Sequence, residues 1–314
     1  MSLKSKSLLV LAIAELMYGT DANPNGANAV LTSNAQLNPM EGSTVARNID
    51  RATFGADQQL HVGVHAVLTF DVELVGSGTL GTAPAWGKLV KACGSKETIT
   101  AATSVVYTPQ TSSTESLTLY FYLDGQLHKL LGARGTFTLS GDSLTIPMLK
   151  FTFTGLWVDP ASAVAPAALT GWDDFQVPKP ITYDDTPTVQ LHGLASVFKS
   201  FSFDQGNSVT YFENPGERKV EITDRASKGS VEIIAPKLSD KNYFTAAKAN
   251  TMGALTFAHG MEDATRVAFV APNVQLLQPK YGDDQGRATL QADLSFVPTT
   301  ASDDEWAIRL EAAA

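Results

Sequence analysis

LTLYFYLDGQLHKLLGARGTFTLSGDSLTIPMLKFTFTGLWVDP, residues 117–160, reads as an antiparallel meander. Leu117, Leu119, Phe121 and Leu123 alternate with Thr118, Tyr120 and Tyr122, the period-2 pattern of a strand with one buried face. Asp124-Gly125 supplies the two positive-φ positions of a tight hairpin turn. A second strand runs through Phe137 and Leu139, and Gly141-Asp142 turns the chain again. In a third, Leu149 to Val158, the residues Leu149, Phe151 and Phe153 alternate with Lys150, Thr152 and Thr154 until Asp159-Pro160 ends it. Tyr120, Tyr122 and Trp157 nevertheless put large side chains on both faces in places. A free-standing sandwich shows one polar face. The second face or the edges of this sheet are therefore expected to be covered, and another subunit is an economical cover.

Upstream, residues 18–43 are rich in Asn, Gly, Pro and Ser, turn-forming composition over a length that compact domains rarely leave structureless. The segment reads as an arm that packs on something, another subunit included. Strands are expected at Ser43–Asp50 and Leu60–Val75. Pro84 to Gly94 reads as a helix, with Trp86, Leu89, Val90 and Cys93 in one stripe and Gly94 just past its end. A strand follows at Ser104–Tyr107.

Downstream, residues 158–188 are dense in Pro, Ala and Asp and read as a linker. The same order of elements then recurs: strands at Val189–Phe203, Ser208–Glu213, Lys219–Asp224 and Ser230–Ile234, and a helix at Ser239–Met252 capped by Ser239. Four more strands are expected at Ala254–Ala258, Thr265–Val270, Val274–Leu277 and Ala288–Val297. Each half ends its last strand in Pro. Asp50-Arg51-Ala52 and Asp224-Arg225-Ala226, 174 residues apart, each precede the strand before the helix. The recurrence points to an internal duplication, with an extra hairpin around Leu60–Ala66 in the first half. The expected organisation is a first domain at 1–160, a linker at 161–187 and a second domain at 188–314.

Composition narrows the function. The 314 residues, 44% hydrophobic and 18% charged, suit a globular chain with two cores. The net charge of −9 disfavours a nucleic-acid reader, which must neutralise phosphates with Lys and Arg. The lone Cys93 excludes an intramolecular disulfide framework and a cysteine-rich zinc site. Lys4 and Lys6 before the apolar run Leu8–Ala14 imitate a signal peptide, but the run is short and no convincing cleavage site follows.

No motif carries chemistry. Gly76-Ser-Gly78-Thr-Leu-Gly81 matches a dinucleotide fingerprint in letters only, because Thr82-Ala83-Pro84 separates it from the helix and hairpins follow. The five histidines, His61, His65, His128, His192 and His259, lack metal-ligand spacing. The paired aspartates, such as Asp173-Asp174 and Asp283-Asp284, sit in turn-rich segments without the calcium-loop pattern. No serine elbow is present and no nucleophile is paired with a base, so neither catalytic nor cofactor residues are assigned.

The opening Tyr18-Gly-Thr-Asp-Ala-Asn-Pro-Asn-Gly-Ala-Asn-Ala-Val-Leu31 resembles the start of the major tail tube proteins of long-tailed, siphovirus-like bacteriophages, especially the transposable kind. The runs at 84–94, 107–109, 115–140 and 147–160 match the same pattern, and the second half matches through its organisation. The resemblance implies a mainly β protein with two tandem tail-tube-type β-sandwich or barrel domains, each with a flanking α-helix. It further implies a virion structural protein, made in the host bacterial cytoplasm, that stacks as rings into the hollow, non-contractile tail through which DNA is delivered. Its partners would be its own copies, with a trimer of pseudo-sixfold symmetry favoured over a hexamer. Tape measure, distal tail and tail terminator proteins would join it, and no membrane. The signal-like run is then ordinary folded sequence. Asp71, Glu73, Glu221 and Glu232, carboxylates alternating with apolar residues on strands, are the candidates to line the bore. Tyr18, Asp21, Asn25 and Leu31 are the candidates for contacts between subunits through the arm. A β-rich adhesin or carbohydrate-binding module is the alternative.

Overall fold

The computed structural model describes residues 2–112, 114–186, 188–262 and 265–312. In the first half, period-2 segments become β1 (Leu8–Ala14), β2 (Ala29–Val30), β3 (Ser33–Ala46) and β4 (Gln59–Glu73). After α1 (Gly87–Ala92) come β5 (Ser95–Thr100), β6 (Ser104–Pro109), β7 (Leu117–Leu123), β8 (Gln126–Asp142) and β9 (Met148–Trp157). The second half contributes β10 (Ala161–Ser162), β11 (Thr188–Leu191), β12 (Leu194–Ala195), β13 (Phe198–Asp204), β14 (Asn207–Asn214), β15 (Glu217–Arg225) and β16 (Lys228–Ile234). It closes with α2 (Tyr243–Lys248), β17 (Met252–His259), β18 (Val267–Asp284), β19 (Arg287–Phe296) and β20 (Ala307–Leu310).

The chain is mainly β. Among the described residues, eighteen strands form one hydrogen-bonded system, and β14–β15 is a separate pair. The first turn of the meander falls where its residues place it: Asp124 and Gly125 both take positive φ, 45° and 85°, and join β7 to β8. Gly141 and Asp142, expected as the second turn, instead stay in β8 opposite Phe201 and Ser200, and the chain turns at Ser143-Leu144, where Leu144 takes φ 68°. The run that imitates a signal peptide is β1, antiparallel to β7 along its whole length. Cys93 is fully buried behind α1, and Gly94 ends that turn at φ +73°.

The two halves repeat one pairing order. In the first, β3 pairs with β4, β4 with β9, β9 with β8, β8 with β7, and β7 with β1. In the second, β13 pairs with β16, β16 with β19, β19 with β18, β18 with β17, and β17 with β11. Each helix sits at the same place in this order. The Asp-Arg-Ala triplets do different work, however. Arg51 meets Asp57 at 2.5 Å within its own hairpin, whereas Arg225 binds Glu305 at 2.5 Å and Asp303 at 2.9 Å near the C-terminal strand.

Several expectations are corrected. The second helix covers only Tyr243–Lys248, because the Asn242 side chain accepts from the Thr245 N–H at 3.0 Å and Asn250 turns left-handed at φ 52°. Ser239 is not its cap. The strands expected at 265–270 and 274–277 are one strand, β18, kinked by a bulge where Gln278 takes φ 46°. The second face of β7 is covered by the chain itself: Tyr120 and Tyr122 pack in a small cluster with Leu9, Leu11 and Leu127, against which Ala163, Ala165 and Leu169 lie. Those last three belong to the stretch read as a linker. It also buries Ile181 and donates from Trp172 Nε1 to the Val30 carbonyl at 3.2 Å.

The two halves share one apolar core. Beyond residue 300, where no strand was expected, β20 lies between β18 of the second half and β6 of the first.

Candidate assembly surfaces

On β4 the even residues Leu68, Phe70 and Val72 are fully buried, so Thr69, Asp71 and Glu73 face the other way. Register carries that polar face across the sheet. Asp71 stands opposite Lys150, and Lys150 opposite Thr138, while Thr69, Thr152 and Thr136 form a threonine row. The face continues into the second half, because Ser140 stands opposite Ser202, and Ser202 opposite Ser230, whose hydroxyls are 2.8 Å apart. Glu232 then lies between Ser200 and Gln291, and Gln291 opposite Lys280.

Asp71, Glu73 and Glu232 thus share one surface with Asp142, Asp204, Asp284 and Asp293. The cations on it are Lys150, Lys199, Lys228, Lys280 and Arg287, so carboxylates still prevail. Burial pushes the Glu232 carboxyl up, but donors around it, including Lys199 at 3.1 Å, outweigh that and hold it below its ordinary value. Glu221 lies elsewhere, on the separate β14–β15 hairpin, where Lys219 meets it at 2.8 Å. That hairpin crosses the far end of the strands. Tyr211 stacks on His65 with centroids 4.9 Å apart, and Arg134 donates to the Val220 carbonyl at 2.8 Å.

Three of the four arm candidates, Tyr18, Asp21 and Asn25, are engaged within the chain. The Tyr18 hydroxyl accepts from the Val220 N–H at 2.5 Å, with the Arg134 guanidinium 5.0 Å from its ring, and burial raises its phenol pKa. Asp21 accepts from the Tyr120 hydroxyl at 2.7 Å and from Lys129 at 2.8 Å. Burial works against that carboxylate, but these bonds together hold its pKa below the ordinary value. Asn25 caps a short 3-10 turn at Gly26–Asn28 in a reciprocal capping box. Leu31 is exposed. The residue that locks this segment, Glu15, was not singled out in the sequence. It accepts from Gly19 N, Ser116 Oγ, Thr118 Oγ1 and Gly132 N, at 2.7 to 2.9 Å. A lone Glu after an apolar strand was the only signal available.

Past Glu41 the β3–β4 hairpin leaves the body, because β4 pairs with β9 only from His65 onward. Met40 just before that point, and Val45, Leu60 and Val62 beyond it, are exposed, and Phe54 at the hairpin's end is fully so. A protruding hairpin with apolar side chains on it is built to be covered.

Among the described residues, no cluster of three metal-binding side chains occurs, and no helix is long and apolar enough to cross a membrane. Gly76–Gly81 is an open loop whose Gly78 and Gly81 take positive φ. What the fold presents is surface: a polar sheet face, unpaired strand edges and a projecting hairpin. These are the surfaces of a mainly β protein built of extended sheets.

The family described as phage tail tube protein matches residues 5–298, nearly the whole chain. The chain belongs to that family and is a structural tail protein. No curated protein matches it individually.

Proposed function

We propose that copies of this chain close into rings, that the rings stack into a hollow tail tube, and that DNA passes through the bore without specific binding. The observation that carries this reading is the largely polar face running across strands of both halves, broken only in places such as Met148, with carboxylates exceeding cations. A conduit must not capture its cargo. Excess carboxylate denies phosphates the cations whose pairing releases counterions and drives DNA binding. Asp71, Glu73 and Glu232 are then bore residues, and Glu221 is not.

The repeated pairing order supports three copies per ring, six similar halves in pseudo-sixfold array, over six copies. The halves at 1–160 and 188–314 are the repeating units, with 161–187 connecting them. The exposed β3–β4 hairpin suits the contact between stacked rings. Tape measure, distal tail and terminator proteins are the further partners in a non-contractile virion tail made in the host bacterial cytoplasm, and no catalytic step is involved.

Negative-stain electron microscopy of the purified chain is the test. Rings or hollow tubes of uniform diameter are expected. Dispersed monomers over a wide concentration range would overturn the reading.

A further inference from the structure

Resting on that reading, and going beyond it to the residues of the joint, we infer that each ring is closed by the 278–284 segment of β18 pairing antiparallel with β3 of the next copy, with Tyr281 opposite Leu37.

The chain holds the template for this joint within itself. The C-terminal part of β8 pairs with β13, Leu139 opposite Phe203 and Gly141 opposite Phe201, and so stitches the first half to the second. In the repeated order, β18 takes the place of β8, and β3 takes that of β13. The counterpart seam would therefore join β18 to β3. One chain cannot make it, because those two strands lie at opposite ends of its row of strands. β18 pairs with β17 only as far as Gln275, and beyond that β19 alone flanks it. β3 pairs only with β4. Among the described residues, neither outer edge has a strand partner, although the Tyr281 ring packs on Phe244 of α2 with centroids 5.0 Å apart.

Register follows from the matched pairs. Leu139 stands opposite Leu149 of β9, as Tyr281 stands opposite Leu290 of β19. Phe203 stands opposite Gly229, itself opposite Leu294, as Leu37 stands opposite Leu68, itself opposite Phe153. Leu139–Phe203 thus maps onto Tyr281–Leu37, and Gly141–Phe201 onto Asp283–Ala35.

Burial supports the missing partner. Leu139 and Phe203, inside the seam the chain does make, are 1% and 0% exposed, whereas Tyr281 is 58% exposed and Leu37 only half-buried. A tyrosine packed on one side only, against Phe244, and set on a strand edge without a partner is what a second strand would cover. The seams differ in one respect. The internal one is reinforced on its outer side by β20 against β6, a hairpin that has no counterpart between α2 and β17. The joint between copies rests on the inner strands and is the one that opens first.

The test is cross-linking in a chain carrying Leu37→Cys and Tyr281→Cys. Cys93 is fully buried and stays silent. Under mild oxidation the double variant is expected to give covalent, thiol-reversible oligomers ending in one closed species. Each single variant should remain monomeric on denaturing gels, and moving the second cysteine to Gln285 should lower the yield roughly tenfold, as a register slip requires. Rings visible by microscopy without this cross-link would overturn the joint and leave the tube reading standing. A wild-type chain that forms no rings would overturn the tube reading itself. If the double variant does not fold, amide exchange of the wild type decides: amides at 278–284 and 33–38 should slow about tenfold or more on ring formation, and unchanged exchange there would refute the joint.

Discussion

Phe137 and Phe203, one from each half of the chain, lie with ring centroids 5.9 Å apart, and Trp306 stands nearly edge-on to both at 5.6 and 5.4 Å. Trp306 is fully buried and belongs to the C-terminal segment that follows the last expected strand. It therefore glues the two halves where β8 meets β13. Trp306→Ala is expected to cost about 3–5 kcal/mol, the range for emptying a large aromatic site in a packed core. Urea unfolding followed by far-UV circular dichroism measures it. A loss under about 1 kcal/mol would show that the seam holds without the indole.

Glu15 gathers four donors, two of them backbone N–H groups, of Gly19 and Gly132. Glu15→Ala leaves these groups to find water or go unpaired, at about 1–3 kcal/mol for each that stays buried. The expected result is a stability loss of roughly 2–3 kcal/mol, with faster amide exchange at Gly19 and Gly132 and earlier protease cleavage within 18–25. Unchanged exchange at those two amides would remove Glu15 from its locking role.

Burial works against protonating His192 and His259 in the fold. Burial lowers both pKa values, although each ring has a backbone carbonyl partner, Val274 at 2.9 Å and Lys179 at 3.0 Å. With the folded pKa below the unfolded value of about 6.5, the unfolded chain takes up protons first as the pH falls. Their contribution is complete above that value and is lost through the acid side of it. Urea midpoints should fall between pH 7 and pH 5, and less so in a His192→Gln, His259→Gln double variant. Equal falls in both proteins would place the acid sensitivity elsewhere.

Reversing charge on the polar face addresses the bore. Asp71→Lys with Asp204→Lys is expected to leave the monomer folded and to make assembled tubes retain double-stranded DNA at low salt. Retention should fall with salt at a slope near 0.9 per phosphate contacted. Reversal of Glu221, on the separate hairpin, should leave retention unchanged. Tubes indifferent to both changes would place the bore on another surface.

Much of the fold is legible in local pattern. Leu117–Leu123 shows its strand because alternate side chains see core and solvent, and Asp124-Gly125 shows its turn because few residue pairs accept two positive φ angles. The polar register of Asp71, Glu73 and Glu232 was legible for the same reason. The second helix was over-read because alanines and lysines favour a helix past the point where Asn242 and Asn250 cut it. Strand β20 was missed because Ala307-Ile-Arg-Leu310 is too short for periodicity to register. Glu221 follows the same alternation as Glu232, but nothing local marks a hairpin that leaves the main sheet.

By itself, the sequence determined strands, turns and the repetition of their order, since each depends on neighbours a few residues apart. Only the tertiary structure decided which strand lies beside which, because pairing runs through backbone groups that every residue shares. It showed residues 163–169 covering Tyr120 and Tyr122, β8 stitched to β13, and, among the described residues, no strand beside the outer edges of β3 and of the C-terminal part of β18.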